Sequence, residues 1–254
     1  RANELMTRST RLINGVPVFM TTPATAERIL QSGGDQRSIM EWRQLADSGE
    51  GGVVHIDGPM VTMQGRRENI PLMGENIVAV VPGRGELKDE YVVIGAHLDH
   101  LGMGEFGSRS SERALHPGAD DNASGVAAVI MLGQSLNDAI QALDEDQPAR
   151  RILLACFDGE ESGLNGSRHY VNQPLFPIES HALMINFDMI GRIENKRLSI
   201  SGSGTGTDMA EWAQALYDDS NLDIVVSEAS MGGSDHSSFL NRNIPILFGI
   251  TPFP

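Results

Sequence analysis

From Asn76 onward, short apolar runs alternate with stretches whose apolar residues recur at helical spacing, and these two periods predict two kinds of element. NIVAVV (Asn76 to Val81), YVVIGA (Tyr91 to Ala96), RILLACF, ALMINF (Ala182 to Phe187) and IPILFGI each read as a strand, with LDIVV as a further strand. Between Ser124 and Leu143, Val126, Val129, Ile130, Leu132, Leu136 and Leu143 follow a helical period. Shorter helices are expected over Gly166 to Val171, Asp208 to Ser220 and His236 to Asn241. The strands are apolar throughout rather than alternating, which implies burial on both faces. Strands of that kind separated by helices predict an α/β fold with a mainly parallel central sheet covered on both faces.

Residues before about 52 have a different pattern. GVPVFMTTPATAERILQSGG predicts a strand, a turn and a helix, and carries no cluster of acids or histidines. This divides the chain into an accessory region at 1–52, a linker or edge strand at 53–75 marked by GEGG and IDGP, and a main domain at 76–254.

The composition is that of a soluble globular protein, 254 residues with 40% apolar and 21% charged side chains. A formal net charge of -15 repels phosphates, so nucleic acid and anionic membrane surfaces are disfavoured as partners. The single cysteine, Cys156, lies inside an apolar strand, which leaves no disulfide framework and no Cys-rich zinc site. The apolar runs fall far short of a membrane span. The chain opens on Arg1 and stops at Pro254 directly after a strand, and is expected to be an excerpt of a longer protein.

In open parallel sheets ligands bind beyond the carboxyl ends of the strands. His97, Leu98, Asp99 and His100 follow YVVIGA, Asp158, Gly159, Glu160 and Glu161 follow RILLACF, and Asp188 follows ALMINF. HPGADDNASG places Asp120 and Asp121 just before the long helix. Histidine with several carboxylates and no thiolate suits zinc or a related divalent ion, and a dication offsets the repulsion between Glu160 and Glu161. His97 and Asp99 project the same way in extended chain, so His97 is expected as a ligand whose other ring nitrogen is held by Asp99. His100 falls on the opposite side, with packing as its expected role. The HxHxDH pattern of metallo-β-lactamases is not met, because Gly95 stands where its first histidine would be. His55, His116, His169 and His181 are isolated and expected to pack or face solvent, and Asp120 and Asp158 to serve turns or caps.

The segments GAHLDHLG, HPGADDNASG, FDGEESGLNGS, INFDMIGR and SDHSSF, in this order, closely resemble the M28 family of zinc aminopeptidases. The resemblance implies an α/β fold with a mixed, mostly parallel central sheet sandwiched between helices, and two co-catalytic zinc ions bridged by Asp121, with a cis peptide between Asp121 and Asn122. One ion would be held by His97, Asp121 and Asp188. The other would take Asp121, Glu161 and a histidine in a Y-H-x-x-x-D type motif beyond the last strand, before which this chain stops, so that ligand set is expected to be incomplete here. His236 is expected to have a structural or substrate-pocket role instead.

Glu160 would act as general base toward a zinc-activated water, Asp99 would support His97, and the substrates would be peptides with a free α-amine. Residues 1–52 would be the C-terminal remnant of a protease-associated domain, and 76–254 the catalytic domain without its C-terminal end. The resemblance also implies secretion or a periplasmic location. The competing expectations on the same fold are a glutaminyl cyclase-like acyltransferase, a carboxypeptidase and a catalytically impaired fragment.

Overall fold

The computed structural model describes residues 12–13, 16–17, 21–52, 62, 73–104, 107–108, 113–193, 197–218 and 220–251. His55 and nearly all of the expected linker at 53–75 lie outside the described residues. The chain divides into two compact units, Arg1–Ile70 and Pro71–Pro254. In the first, β1 (Leu12–Ile13) pairs antiparallel with β2 (Val16–Pro17). Helix α1 (Pro23–Ser32) starts at Thr22, whose side chain accepts from the Thr25 amide, with proline in its first turn, where no intrahelical donor is lost. Helix α2 (Ile39–Asp47), which the sequence pattern did not reveal, is entered through a reciprocal capping box between Ser38 and Glu41.

The second unit is built on a seven-stranded sheet in the order β3-β5-β4-β6-β9-β7-β8. Its strands are β3 (Ile77–Val81), β4 (Tyr91–His97), β5 (Arg151–Phe157), β6 (His181–Phe187), β7 (Arg197–Ser201), β8 (Asp223–Ser227) and β9 (Ile246–Ile250). β5, β4, β6 and β9 run parallel to one another, while β3 pairs antiparallel with β5 and β7 with β9. The sheet is mostly parallel, as the apolar runs predict, and mixed, as the resemblance implies. β7 was not among the predicted strands: RLSIS is short and carries two serines, and it becomes a strand by pairing with β9 and β8.

Successive residues of a strand face opposite sides of the sheet, so each buried strand feeds two cores. Val93 of β4 packs with Leu153, Phe157, Met184 and Phe239 on one side. Ile94 and Ala96 pack with Ile152, Val129 and Ile140 on the other. The first face is covered by α4 (Asn165–Asn172) and α6 (His236–Leu240), the second by α3 (Gly125–Gln141). A smaller core of Ile200, Leu247 and Met209 seats α5 (Met209–Asp218). Full burial of each large apolar side chain contributes roughly 1.5–3 kcal/mol. No helix among the described residues is long and apolar enough to cross a membrane.

Because β4, β5 and β6 are parallel and in register, with His97 opposite Phe157 and Gly95 opposite Asn186, their carboxyl ends meet at one edge. The residues that follow them are therefore brought together by the sheet itself.

Candidate metal centre

His97, the last residue of β4, is almost completely buried. Its Nε2 lies 3.1 Å from Asp121 Oδ1 and 3.3 Å from Asp188 Oδ1. Donors about 2.0–2.1 Å from a tetrahedral zinc stand about 3.3 Å from one another, so these three atoms have the spacing of one coordination sphere. Burial disfavours the imidazolium, but the carboxylates of Asp121, Asp188 and Asp99 outweigh it and hold the ring's pKa far above its usual value. The cluster thus calls for positive charge at this point, which a dication supplies directly.

Asp121 turns its other oxygen to a second group. Oδ2 is 3.8 Å from His100 Nδ1, which is in turn 2.6 Å from Glu161 Oε1. One carboxylate therefore faces two clusters of possible metal donors, His97–Asp121–Asp188 and His100–Asp121–Glu161. The Glu161 carboxyl is raised by burial and by Asp121, against the opposing pull of His100.

The turn after β5 carries Glu160 and Glu161, and Asp99 holds it in place. Asp99 Oδ1 accepts from the Glu160 amide at 3.0 Å and Oδ2 from the Glu161 amide at 3.3 Å. Burial alone would raise the Asp99 carboxyl, yet His97 and these two amides hold it below its ordinary range. His97 Nδ1 lies 3.0 Å from the Asp99 main-chain carbonyl and 3.7 Å from its carboxylate, which the amides of the turn share. Burial pushes Glu160 up to about 8, with Asp235, Asp188 and Glu161 adding to the rise and His97 opposing it. A dication in the cluster pulls such a carboxyl down again.

The ends of the other elements are fixed as firmly. The Asp121–Asn122 peptide is cis. Asn122 is buried; its side chain donates to the Phe187 carbonyl and accepts from the amides of Gly125 and Met189, at 2.9, 3.0 and 3.3 Å. This ties the entry of α3 to the end of β6, and so Asp121 to Asp188. A Cβ at Gly125 would stand 2.4 Å from Asn122 Oδ1 and 2.7 Å from the Phe187 carbonyl oxygen. Gly125→Ala is therefore expected to cost about 1–3 kcal/mol through overpacking, read as a lower urea midpoint at unchanged slope, and to weaken zinc uptake with it.

All six residues expected at the site, His97, Asp99, Asp121, Glu160, Glu161 and Asp188, come together at this edge. His100 differs from its expected packing role, since its ring points at Glu161. Asp235 carried no expectation of its own although it lies within SDHSSF. It is completely buried, and burial pushes its carboxyl up to about 6. The His236 ring is buried, stacks on Phe248 and pairs with the Met231 carbonyl. His181 is buried against the Tyr170 hydroxyl at 2.9 Å, and Asp120 and Asp158 accept main-chain amides of Gly191 and Glu75. Gly95 has no room for the metallo-β-lactamase histidine, because a Cβ there would meet Met184 and Phe157, each at 2.8 Å.

The histidine–carboxylate cluster thus lies at the carboxyl edge of a mostly parallel, helix-sandwiched sheet, where open α/β sheets place their ligands. The chain belongs to peptidase family M28, whose model matches residues 76–253. It is 26% identical over 179 residues to a probable leucine aminopeptidase of Arthroderma otae, covering 68% of this chain and 45% of that one. To a probable glutamate carboxypeptidase of Arabidopsis thaliana it is 28% identical over 181 residues, covering 71% and 23%. The chain thus spans less than half the length of these curated relatives. Among solved structures, a zinc aminopeptidase of Bacillus subtilis shares the fold with a TM-score of 0.55 at 23% identity, covering 70% of this chain and 40% of that one. A leucine aminopeptidase precursor of Bacteroides thetaiotaomicron shares it with a TM-score of 0.53 at 21% identity, covering 70% and 65%.

Proposed function

We propose that this chain carries the catalytic unit of a zinc-dependent aminopeptidase that removes N-terminal residues from peptides. The observation that carries the reading is Asp121, whose two carboxylate oxygens face two separate donor clusters. His97, Asp121 and Asp188 would hold one zinc ion, and Asp121 with Glu161 a second. When bound, a zinc pair supplies a Lewis acid for the scissile carbonyl and lowers the pKa of water toward neutrality.

The chain's own residues supply the rest. Glu160 is the one carboxylate of the GEES turn that neither donor cluster includes, and it takes the proton of the attacking water and returns it to the departing amine. Asp99 fixes this turn through two amides, so Glu160 and Glu161 keep different directions and different roles. The surplus of carboxylates attracts the cationic α-amine of a peptide. An open cavity of about 900 Å³ beside Asp99, His100 and Glu161, bordered by Val78, Leu101 and Tyr170, leaves room for substrate.

The expected result is amine release from leucyl or alanyl p-nitroanilide, abolished by chelation and restored by zinc. The same reporter acetylated at its amine should be inert. Cyclisation of an N-terminal glutamine peptide, or trimming of peptides from the carboxyl end, would refute the aminopeptidase reading.

A further inference from the structure

The loop that follows Asp188 brings a cation to the rim of the carboxylate cluster. Arg192 Nε lies 3.2 Å from Asp120 Oδ2, and Asp120 directly precedes Asp121 in the chain. We propose that Arg192 binds the terminal α-carboxylate of very short peptides, which makes di- and tripeptides the favoured substrates; this rests on the aminopeptidase reading above.

Three observations support it. First, the cation is anchored without being used up. Asp120 Oδ1 accepts the Gly191 amide at 2.7 Å. Ser124 Oγ donates to the Asp120 carbonyl at 2.6 Å and accepts the Ile190 amide at 3.1 Å. These bonds fix the backbone that carries Arg192. The Asp120 side chain is 12% exposed, whereas that of Arg192 is 61% exposed, and Asp120 is its sole ion-pair partner among the described residues. A guanidinium has five donors, so pairing through Nε leaves its outer Nη edge to take a carboxylate in two parallel bonds.

Second, the placement suits a short substrate. The open cavity borders the cluster of His100 and Glu161, whereas the Arg192 loop leaves the cluster of His97 and Asp188. Asp121 belongs to both clusters. Successive Cα atoms are 3.8 Å apart, so the α-carboxylate of a di- or tripeptide lies within about 4–8 Å of its first peptide bond. That is the scale of the single-residue step from Asp121 to the Asp120–Arg192 pair. Third, the charge at this edge calls for a cation. Asp99, Asp121, Glu160, Glu161 and Asp188 outnumber the four positive charges of a zinc pair, which favours an α-amine and repels a carboxylate. Salt screens that repulsion beyond about 8–10 Å, so only short peptides need a local cation to offset it.

The test uses the zinc-loaded 254-residue chain with Leu-Gly, Leu-Gly-amide and leucyl p-nitroanilide. The wild-type chain should cleave Leu-Gly with a kcat/KM about 10-fold or more above that for its amide. Arg192→Gln should raise KM for Leu-Gly by about 10–100-fold, the loss expected for hydrogen bonds to a charged group, and move KM for the two uncharged substrates less than about twofold. Arg192→Lys, which keeps the charge beside Asp120 but not the fork, should fall between. Calorimetry on the zinc-loaded Glu160→Gln chain gives a readout that needs no turnover. Leu-Gly should bind about 10-fold or more tighter than Leu-Gly-amide, and adding Arg192→Gln should remove the difference.

A KM for Leu-Gly that Arg192→Gln leaves unchanged, or that rises equally for all three substrates, would overturn the role of Arg192 and leave the aminopeptidase reading standing. Failure of the wild-type chain to cleave any of the three would count against that reading instead. Calorimetry would then decide Arg192 by itself, and equal affinities for Leu-Gly and its amide would overturn it.

Discussion

Glu160→Gln should leave the protein folded and loaded with zinc while its turnover of an aminoacyl reporter falls by about 10²–10⁴-fold. That range corresponds to about 3–5.5 kcal/mol of lost transition-state stabilisation. The amide keeps the size of the carboxylate and so keeps the turn that Asp99 holds through the amides of residues 160 and 161. It cannot accept a proton, which is the function at issue. The loss should appear mainly in kcat, because Glu160 is one of several carboxylates that attract the α-amine but the one assigned to move the proton.

The comparison with Glu161→Ala is what makes the result specific. Glu161 belongs to a donor cluster and Glu160 to neither, so the Glu161 variant should lose metal first and activity as a consequence. Wild-type turnover in Glu160→Gln would eliminate it as the proton carrier. Loss of zinc from that variant would instead exchange the roles assigned to the two glutamates.

The parts of this site that could be read from the chain, and the parts that could not, divide at the end of β4. Strands β4, β5 and β6 are buried on both faces and carry unbroken apolar runs, so their presence and the gathering of polar residues just beyond them were legible. The rule that residues two apart share a side is valid only while the chain stays extended. β4 ends at His97, and a turn closes over Leu101–Gly104, where Gly102 and Gly104 adopt positive φ.

Past that point alternation no longer sorts side chains. His100 therefore joins the carboxylates rather than facing away from them, and the Asp99 carboxylate reaches the glutamate turn as well as His97. Asp235 was illegible for another reason. It is completely buried at the start of α6, which no local pattern announces. β7 was missed because its serines disguise a strand that exists through its pairing with β9.

Asp121→Ala should have the widest consequence of any single change, since it removes the one group common to both donor clusters. Both ions should be lost together, each with affinity down by more than about 100-fold, and peptidase activity should fall to background. Asp188→Ala, which empties only the His97 cluster of a donor, should retain the second ion.

Thermal melting gives a readout independent of turnover. A ligand that binds only the folded state adds RT ln(1 + [L]/Kd), about 4 kcal/mol per site at a thousandfold excess over Kd, so zinc should raise the melting temperature of the wild-type chain strongly. The Asp121 variant should show almost none of this rise. Without zinc, the variant should melt close to the stripped wild type, because losing Asp121 removes its attraction to His97 and its repulsion of Glu161 together. An Asp121→Ala chain that still binds two ions, or one that zinc still stabilises as strongly as the wild type, would show that the two clusters do not share this carboxylate. One that melts far lower when stripped would assign Asp121 to the fold rather than to the metal.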